Sequence, residues 1–414
     1  MKVRLNPFSP SGKIIAPPSK SVAHRLLIGA SLSNGETEIK NVGNSADVIA
    51  TCSCLTALGA QIELKDGNAL VKGIKSVKKG GVLNCNESGS TLRFLMPVAC
   101  ALGANATFFG SQKLLSRPSD ALLNELKRHG ITVLGWNLKG KLTSGKFEID
   151  ASISSQYITG LLFALPLLDG DSEIVLQGEV VSKDYIEITL SVLDKFKIEY
   201  KKSGNRLFIK GNQTYVSPKT LTVEGDWSGA AFPLVLGAIG GQVSVFGLDA
   251  NSRQGDKAIL GVLKKFGASV EIDGDCVRAT KDKNNAFSQD FENIPDLAPI
   301  CAVLAACANG ESVFTGIQRL KIKESDRVKT TIKTLQTAGV TAYEKDGKMF
   351  IVGSKIKGGI FDGANDHRIV MSSAVISSVA NGESQILGAH AVEKSYPEFF
   401  KDYNLLGGNA NVCI

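Results

Sequence analysis

One phrase organises the hydrophobic pattern of this chain. At Ala298–Gly316 it reads A-P-I-C-A-V-L-A-A-C-A-N-G-E-S-V-F-T-G, which predicts a helix of small and branched apolar residues, a Gly turn and a short strand. A helix apolar on most of its faces belongs in an interior. Nearly the same phrase returns at Arg368–Gly388, and related ones begin near Arg25, Arg93, Gly160 and Ala230. The six starts (25, 93, 160, 230, 298 and 368) keep a period of roughly 70 residues, and self-similarity at a fixed period marks a repeated supersecondary unit.

Each unit but the last adds a second helix with a polar face: Ala46–Gly59, Ser119–Gly130, Ile186–Phe196, Asp256–Gly267 and Arg327–Gly339. Four of these end at Gly, the residue that helix C-termini favour. Asp-Gly dipeptides at 66–67, 273–274 and 346–347 then signal hairpins, and a fourth hairpin turns through Ser203–Asn205. The second unit is expected to use a longer strand pair running to Ile149 instead. The sixth unit stops short of a full hairpin, while the opening strand Lys2–Leu5 has no helix of its own. The N-terminal strand is therefore expected to complete the last unit. That places the domains at 20–225 and at 1–19 with 226–414. A single solenoid-type array is the competing arrangement, but no unit looks like a cap.

Composition narrows the class. A chain of 414 residues exceeds one ordinary core, and 43 % hydrophobic with 21 % charged residues is globular composition. No apolar run approaches the roughly 18 residues of a membrane span, and the N-terminus lacks a signal-peptide core. A cytoplasmic protein is expected. The eight Cys are scattered without a C-x-x-C pair, and Cys52, Cys54, Cys301 and Cys307, set among Ala, Leu and Val, read as reduced core thiols. The four His have no metal-site spacing, so neither a metal nor a cofactor is expected. The net charge of +7 suits nucleic acid or small anions. The lysines at Lys75–Lys79 lack aromatic interleaving and read as solvated surface, which argues against nucleic acid.

The chemistry sits at the helix starts. Ahead of the six core helices stand K-S-V-A-H-R (20–25), E-S-G-S-T-L-R (87–93), S-S-Q-Y (154–157), G-D-W-S (225–228), P-D (295–296) and N-D-H-R (365–368). Ser, Asp and Asn there serve as N-caps. Capping does not explain Lys20, Arg25, Arg93 and Arg368, because a cation opposes the positive end of the helix dipole. Cations combined with helix N-termini make an anion site. Arg117, Ser182-Lys183, Lys321–Lys329 and Lys394 add to the second-helix starts. Two facing domains would then line a cleft suited to a substrate with several phosphates or carboxylates. Asp296 and Glu324 stand out among these cations: the plain reading of each is a cap or surface ion pair, and the sharper one a pair of proton-transfer groups, kept ionised by their neighbours.

These residues resemble a known family. K-S-V-A-H-R, E-S-G-S-T-L-R, S-S-Q, S-K-D-Y, I-P-D-L-A-P, K-E-S-D-R, N-D-H-R and E-K-S-Y-P occur in the order of the 5-enolpyruvylshikimate-3-phosphate synthases, from Lys20 to Pro397. The resemblance implies an α/β fold: a two-domain inside-out α/β barrel of six βαβαββ repeats, three per domain, with the active site in the interdomain cleft. It implies transfer of the enolpyruvyl group of phosphoenolpyruvate to the 5-hydroxyl of shikimate 3-phosphate, without a covalent enzyme intermediate or essential metal. The two small-molecule substrates are the expected partners of a monomer, with no membrane. Ser21, Arg25, Ser154, Ser155, Ser182, Tyr185 and Lys323 look like contacts to shikimate 3-phosphate. Arg117, Arg327, Arg368 and Lys394 look like the phosphoenolpyruvate clamp, with Gly89 beside it. Lys20 and Gln156 touch both ligands, and His367 orients nearby groups. By the same resemblance Asp296, also against shikimate 3-phosphate, takes the hydroxyl proton. Glu324 shuttles a proton at the methylene carbon, and Lys20 and Lys394 assist at the leaving phosphate.

Two departures limit the resemblance. The family's N-A-G-T loop appears here as E-S-G-S, with Glu87 and Ser90, so glyphosate sensitivity does not carry over. Gln318-Arg319 stands where the family often supplies an Asn contact. The related UDP-N-acetylglucosamine enolpyruvyl transferases use a reactive loop Cys, and this chain has no Cys between Cys100 and Cys276. A binding protein on a degenerate enzyme fold would explain the basic charge, but not the intact acids.

Overall fold

The periodic pattern folds into repeated four-stranded sheets, seen in a computed structural model that describes residues 1–413. The chain divides into two compact units, Met1–Ser19 with Glu224–Ile414, and Lys20–Val223. Each has its own apolar core. The architecture is α/β with mixed sheets.

Among the described residues there are six four-stranded sheets of one design, plus a two-stranded pair. In the sheet that follows the opening phrase, Ser288–Asp290 runs parallel to Glu311–Thr315, which is antiparallel to Lys348–Val352. Thr341–Lys345 closes the order as the hairpin partner. Two sheets draw their first strand from a distant part of the chain. Thr220–Thr222 pairs parallel with Glu36–Lys40, and Ser11–Ile15 with Gln242–Phe246. Lys2–Leu5 lies between Ser384–Leu387 and Asn411–Cys413, antiparallel to both. The N-terminal strand thus takes the place that a hairpin strand fills elsewhere.

The second unit differs from its sequence reading. It keeps a short hairpin, Thr132–Leu134 with Asn137–Lys139, turned at Gly135 and Trp136. Lys146–Asp150 instead opens the next sheet, parallel to Ser172–Gln177. Three-residue strands without an Asp-Gly turn leave little periodic signal, and so the strand ending near Ile149 was attached to the wrong sheet.

In the 20–223 unit the helices are α1 (Lys20–Leu32), α2 (Ala46–Leu58), α3 (Gly89–Ala101), the short α4 (Gln112–Leu115), α5 (Asp120–Arg128), α6 (Ser155–Ala164) and α7 (Lys183–Lys195). In the other unit they are α8 (Trp227–Gly240), α9 (Ile259–Phe266), α10 (Ala298–Ala306), α11 (Arg327–Thr337), α12 (His367–Ser377) and α13 (Phe399–Leu405). The repeated phrases form α1, α3, α6, α8, α10 and α12. Every residue of α10 is buried, as a helix without a polar face must be. The second helices bury one stripe; α5 encloses only Leu122, Glu125 and Leu126. Gly59, Gly130, Gly267 and Gly339, which follow four of them, all have positive φ, the conformation that ends a helix most cheaply at Gly.

Burial pushes the thiols of Cys52, Cys100 and Cys307 up to about 12, so they stay protonated at neutral pH. Among the described residues no helix is long and apolar enough to cross a membrane.

Candidate active site

The site residues fall into two groups, one in each unit. In the 20–223 unit, Arg25 gathers three helix starts. Its guanidinium is buried and donates from Nε to Thr189 Oγ1 (2.8 Å), from Nη1 to the Ser21 carbonyl (2.7 Å), and from Nη2 to Thr159 Oγ1 (3.3 Å) and the Tyr185 carbonyl (3.1 Å). The rings of Phe94 and Tyr185 lie 4.9 and 5.9 Å away. These bonds hold the first turns of α1, α6 and α7 together, and those turns carry Ser21, Ser154, Ser155 and Ser182. Ser154 caps α6 by accepting from the Gln156 N–H, and Ser155 is buried beside it. Ser182 precedes α7 in the left-handed region, at φ 52°. All four acceptors of Arg25 are neutral. Burial accordingly pushes its pKa down, with Tyr185 opposing, and a bound anion would restore the balance.

A second cluster surrounds the start of α3. Ser88 caps the helix, and Gly89 follows. A Cβ on Gly89 would lie 2.7 Å from Arg93 Nη1 and 2.9 Å from Arg117 Nη1. Two guanidiniums therefore press against one backbone turn, which only a residue without a side chain permits. Arg93 also donates to Gln156 Oε1 (3.1 Å) and the Pro118 carbonyl (3.0 Å), and Gln156 Nε2 donates to Ser90 Oγ (3.1 Å). Lys20 reaches Asp47 Oδ2 at 2.7 Å. Adjacent like charges at a helix N-terminus form a receptor for an anion.

In the other unit, Arg327 is the hub. Its side chain is 1 % exposed and binds three carboxylates: Asp366 (Nε, 2.9 Å; Nη2, 3.2 Å), Asp296 (Nη1, 2.7 Å) and Glu324 (Nη2, 2.6 Å). Asp366 also caps α12 through the Arg368 N–H and accepts from Ser325 Oγ at 2.8 Å. Burial alone would raise the Asp366 pKa, but the charge and hydrogen bonds of Arg327, together with His367, hold it below the ordinary value. Burial likewise opposes the charge of Arg327, and Asp366, Glu324 and Asp296 together raise its pKa instead. Arg25 and Arg327 are thus opposite cases of one side chain, the first lacking an anion and the second surrounded by them.

Asp296 sits in the turn before α10. Lys323 Nζ and Arg368 Nε lie 3.6 Å from its Oδ1, and Arg368 Nη1 donates to its carbonyl at 3.0 Å. Burial lowers the Lys323 pKa, against the pull of Asp296. Arg368 also reaches Ser228 Oγ at 2.6 Å. Lys394 donates to the Asn365 carbonyl at 2.6 Å, and His367 is buried with Nδ1 3.9 Å from Asp366.

The sequence did not point to several of these partners. Asp366 was legible only as a cap, and Asp47 not at all. Thr159 and Thr189 are lone hydroxyls on apolar helix faces, which was their only available signal. Buried Asp256 is pushed up to about 7 by burial and by Asp296, despite Arg368, and nothing in its sequence context marked it.

An α/β framework that gathers cations and helix N-termini in this way is chemically suited to anions, and its fold is that of solved enolpyruvyl transferases. The enolpyruvyl transferase NikO from Streptomyces tendae superposes with a TM-score of 0.81 at 14 % identity, over 99 % of this chain and 98 % of that one. EPSP synthase from Acinetobacter baumannii gives 0.83 at 22 % identity, over the full length of both chains. Sequence is more specific than fold. Residues 8–403 match the family described as EPSP synthase (3-phosphoshikimate 1-carboxyvinyltransferase). The 3-phosphoshikimate 1-carboxyvinyltransferase of Clostridium kluyveri is 42 % identical over 416 residues, covering 98 % of this chain and 97 % of the relative. That of Clostridium novyi is 39 % identical over 424 residues, with the same coverage. The chain belongs to the EPSP synthase family.

Proposed function

We propose that this chain is a transferase that moves the enolpyruvyl group of phosphoenolpyruvate onto the 5-hydroxyl of shikimate 3-phosphate and releases phosphate, a step of the shikimate pathway. The observation that carries the mechanism is the pair of carboxylates, Asp296 and Glu324, held on one buried guanidinium at 2.7 and 2.6 Å. Addition of an alcohol across the enol double bond, followed by elimination, needs two such groups. Asp296 takes the proton of the hydroxyl as its oxygen attacks C2. Glu324, which enters this step protonated rather than ionised, gives its proton to C3, forming the methyl of a tetrahedral intermediate. It then takes one back as the C2–O bond to phosphate breaks and the double bond reforms, and the proton first taken by Asp296 leaves with the phosphate. Fixed cations around both phosphates stabilise the charge that develops.

In this reading Arg25, with Ser21, Ser154, Ser155, Ser182 and Tyr185, seats shikimate 3-phosphate, assisted by Lys323. Arg117, Arg368, Lys394 and the Gly89 turn are assigned to phosphoenolpyruvate, and Lys20 and Gln156 to both ligands. Arg327 was expected in the clamp. Its bonds to three carboxylates favour a different task, aiming Asp296 and Glu324, with His367 packed behind. Two domains of three repeats in an inside-out barrel, and a cytoplasmic monomer, complete the proposal.

The test is phosphate release from phosphoenolpyruvate by the purified protein. Release that requires shikimate 3-phosphate is expected, and its absence in a folded sample rejects the reading. A second outcome concerns the loop. Gly89→Ala is expected to fold normally, because the atoms it displaces are the ends of flexible arginines. Moving both guanidiniums should raise KM for phosphoenolpyruvate by about ten- to a hundredfold, while KM for shikimate 3-phosphate stays near wild type. Steady-state kinetics with each substrate varied in turn checks this.

A further inference from the structure

A line of buried hydrogen bonds ends at the start of α3 and has no part in the chemistry above. His24 of α1 is fully buried, and its Nδ1 lies 2.7 Å from Thr51 Oγ1 of α2. Thr51 Oγ1 lies 2.6 Å from Thr91 Oγ1 of α3. Thr91 Oγ1 in turn donates to Ser88 Oγ at 2.7 Å, and Ser88 is the residue that caps α3 by accepting from the Thr91 N–H. Thr51, Thr91 and Ser88 are all 0 % exposed.

The polarity of the line follows from counting hydrogens. A hydroxyl has one to give. Thr91 has two acceptors, Ser88 Oγ at 2.7 Å and the Asp47 carbonyl at 3.5 Å, and whichever takes its hydrogen, it accepts from Thr51, which in turn accepts from the N–H at His24 Nδ1. An N–H at Nδ1 fits either charge state of the ring, and burial decides for the neutral one. Burial, with Lys20 and Arg25 nearby, lowers its pKa well below the ordinary value and keeps it so. Its Nε2 is buried and has no hydrogen-bond partner among the described residues. A purely packing role, edge-on to Phe94 at 6.4 Å, accounts for the burial of the ring. It does not account for one hydroxyl from each of two further helices carrying the line on to a helix cap.

The line joins the elements that present cations. His24 lies between Lys20 and Arg25, and Thr51 is one turn beyond Asp47, which receives Lys20. Thr91 and Ser88 bracket Gly89, against which Arg93 and Arg117 rest. Where the first turn of α3 stands decides where those two guanidiniums and the turn's N–H groups point. We propose that His24, Thr51 and Thr91 are positioning residues for phosphoenolpyruvate, which fix the first turn of α3 against α1 and α2. This rests on the reading of the Gly89 turn as the phosphoenolpyruvate seat.

The test uses the full chain and the phosphate-release assay. Thr51→Val keeps the side-chain shape and breaks the line. It is expected to raise KM for phosphoenolpyruvate about fivefold, leave KM for shikimate 3-phosphate within about twofold, and be rescued by Thr51→Ser. Thr91→Val should act alike, and the double variant should be no worse than either single, because one break already interrupts the line. An unchanged KM for phosphoenolpyruvate in both single variants overturns the proposal. So does a parallel rise in both KM values without rescue by Ser, the mark of a packing role. If Thr51→Val does not fold, Thr91→Val decides by the same criteria. Wild-type protein that releases no phosphate rejects the functional reading itself, and this assignment with it.

Discussion

Replacing Arg327 by Leu is expected to cost about 3–5 kcal/mol of stability and to abolish turnover. Three carboxylates lose their shared cation at once, and Asp366 is 0 % exposed, so water cannot substitute. A paired buried charge adds little net stability compared with an apolar pair, but removing one partner leaves the other uncompensated. Here Asp366 loses the cation bonded to it, while Asp296 keeps Lys323 and Arg368 at 3.6 Å. Arg327→Lys should fall between, since an ammonium cannot present the planar fork that reaches Asp296, Glu324 and Asp366 together. Urea unfolding followed by a probe in the Glu224–Ile414 unit measures the loss. A midpoint unchanged from wild type in Arg327→Leu would mean that the three acids find other partners.

Glu324→Gln should separate chemistry from folding. Its carboxylate is 24 % exposed and accepts one bond from Arg327, and a Gln carbonyl oxygen still accepts that bond. Binding of both substrates is therefore expected near wild-type affinity, while kcat falls about 10²- to 10⁴-fold, the usual contribution of a proton-transfer group. Calorimetric titration with substrates, beside single-turnover rates, checks the two halves. Wild-type turnover would remove Glu324 from the mechanism. A loss of binding equal to the loss of rate would recast it as a ligand contact.

What the sequence made legible, and what it hid, divides along physical lines. The six-fold unit could be read because each core helix needs a continuous apolar surface, and that need recurs at a fixed period whatever the exact residues. The cations at the helix starts could be read because they contradict the dipole preference that a purely structural helix follows. Their partners could not. Thr159 and Thr189 lie 134 and 164 positions from Arg25, and a single hydroxyl in an apolar stripe carries no mark of what it faces. Asp366 shows a different limit. Its cap role is local and therefore visible, whereas its bond to Arg327 spans 39 positions and appears only when α11 and α12 pack. The direction of the Arg327 fork is likewise a tertiary fact: the motif placed the residue, and the fold turned it toward the acids.

The strand Lys2–Leu5 sets the order in which the molecule can be completed as it is made. It is made well before its partners on either side, Ser384–Leu387 and Asn411–Cys413, which lie at the far end of the other strands of its unit. The Lys20–Val223 unit has all its strands in hand once Thr220–Thr222 has emerged and can close then. The opening strand meanwhile has both edges unpaired, and it is short, with the charges of Lys2 and Arg4 alternating with Val3 and Leu5. Such charges discourage pairing with a neighbouring chain, which is what a strand needs if it must wait for partners that lie so far along the chain.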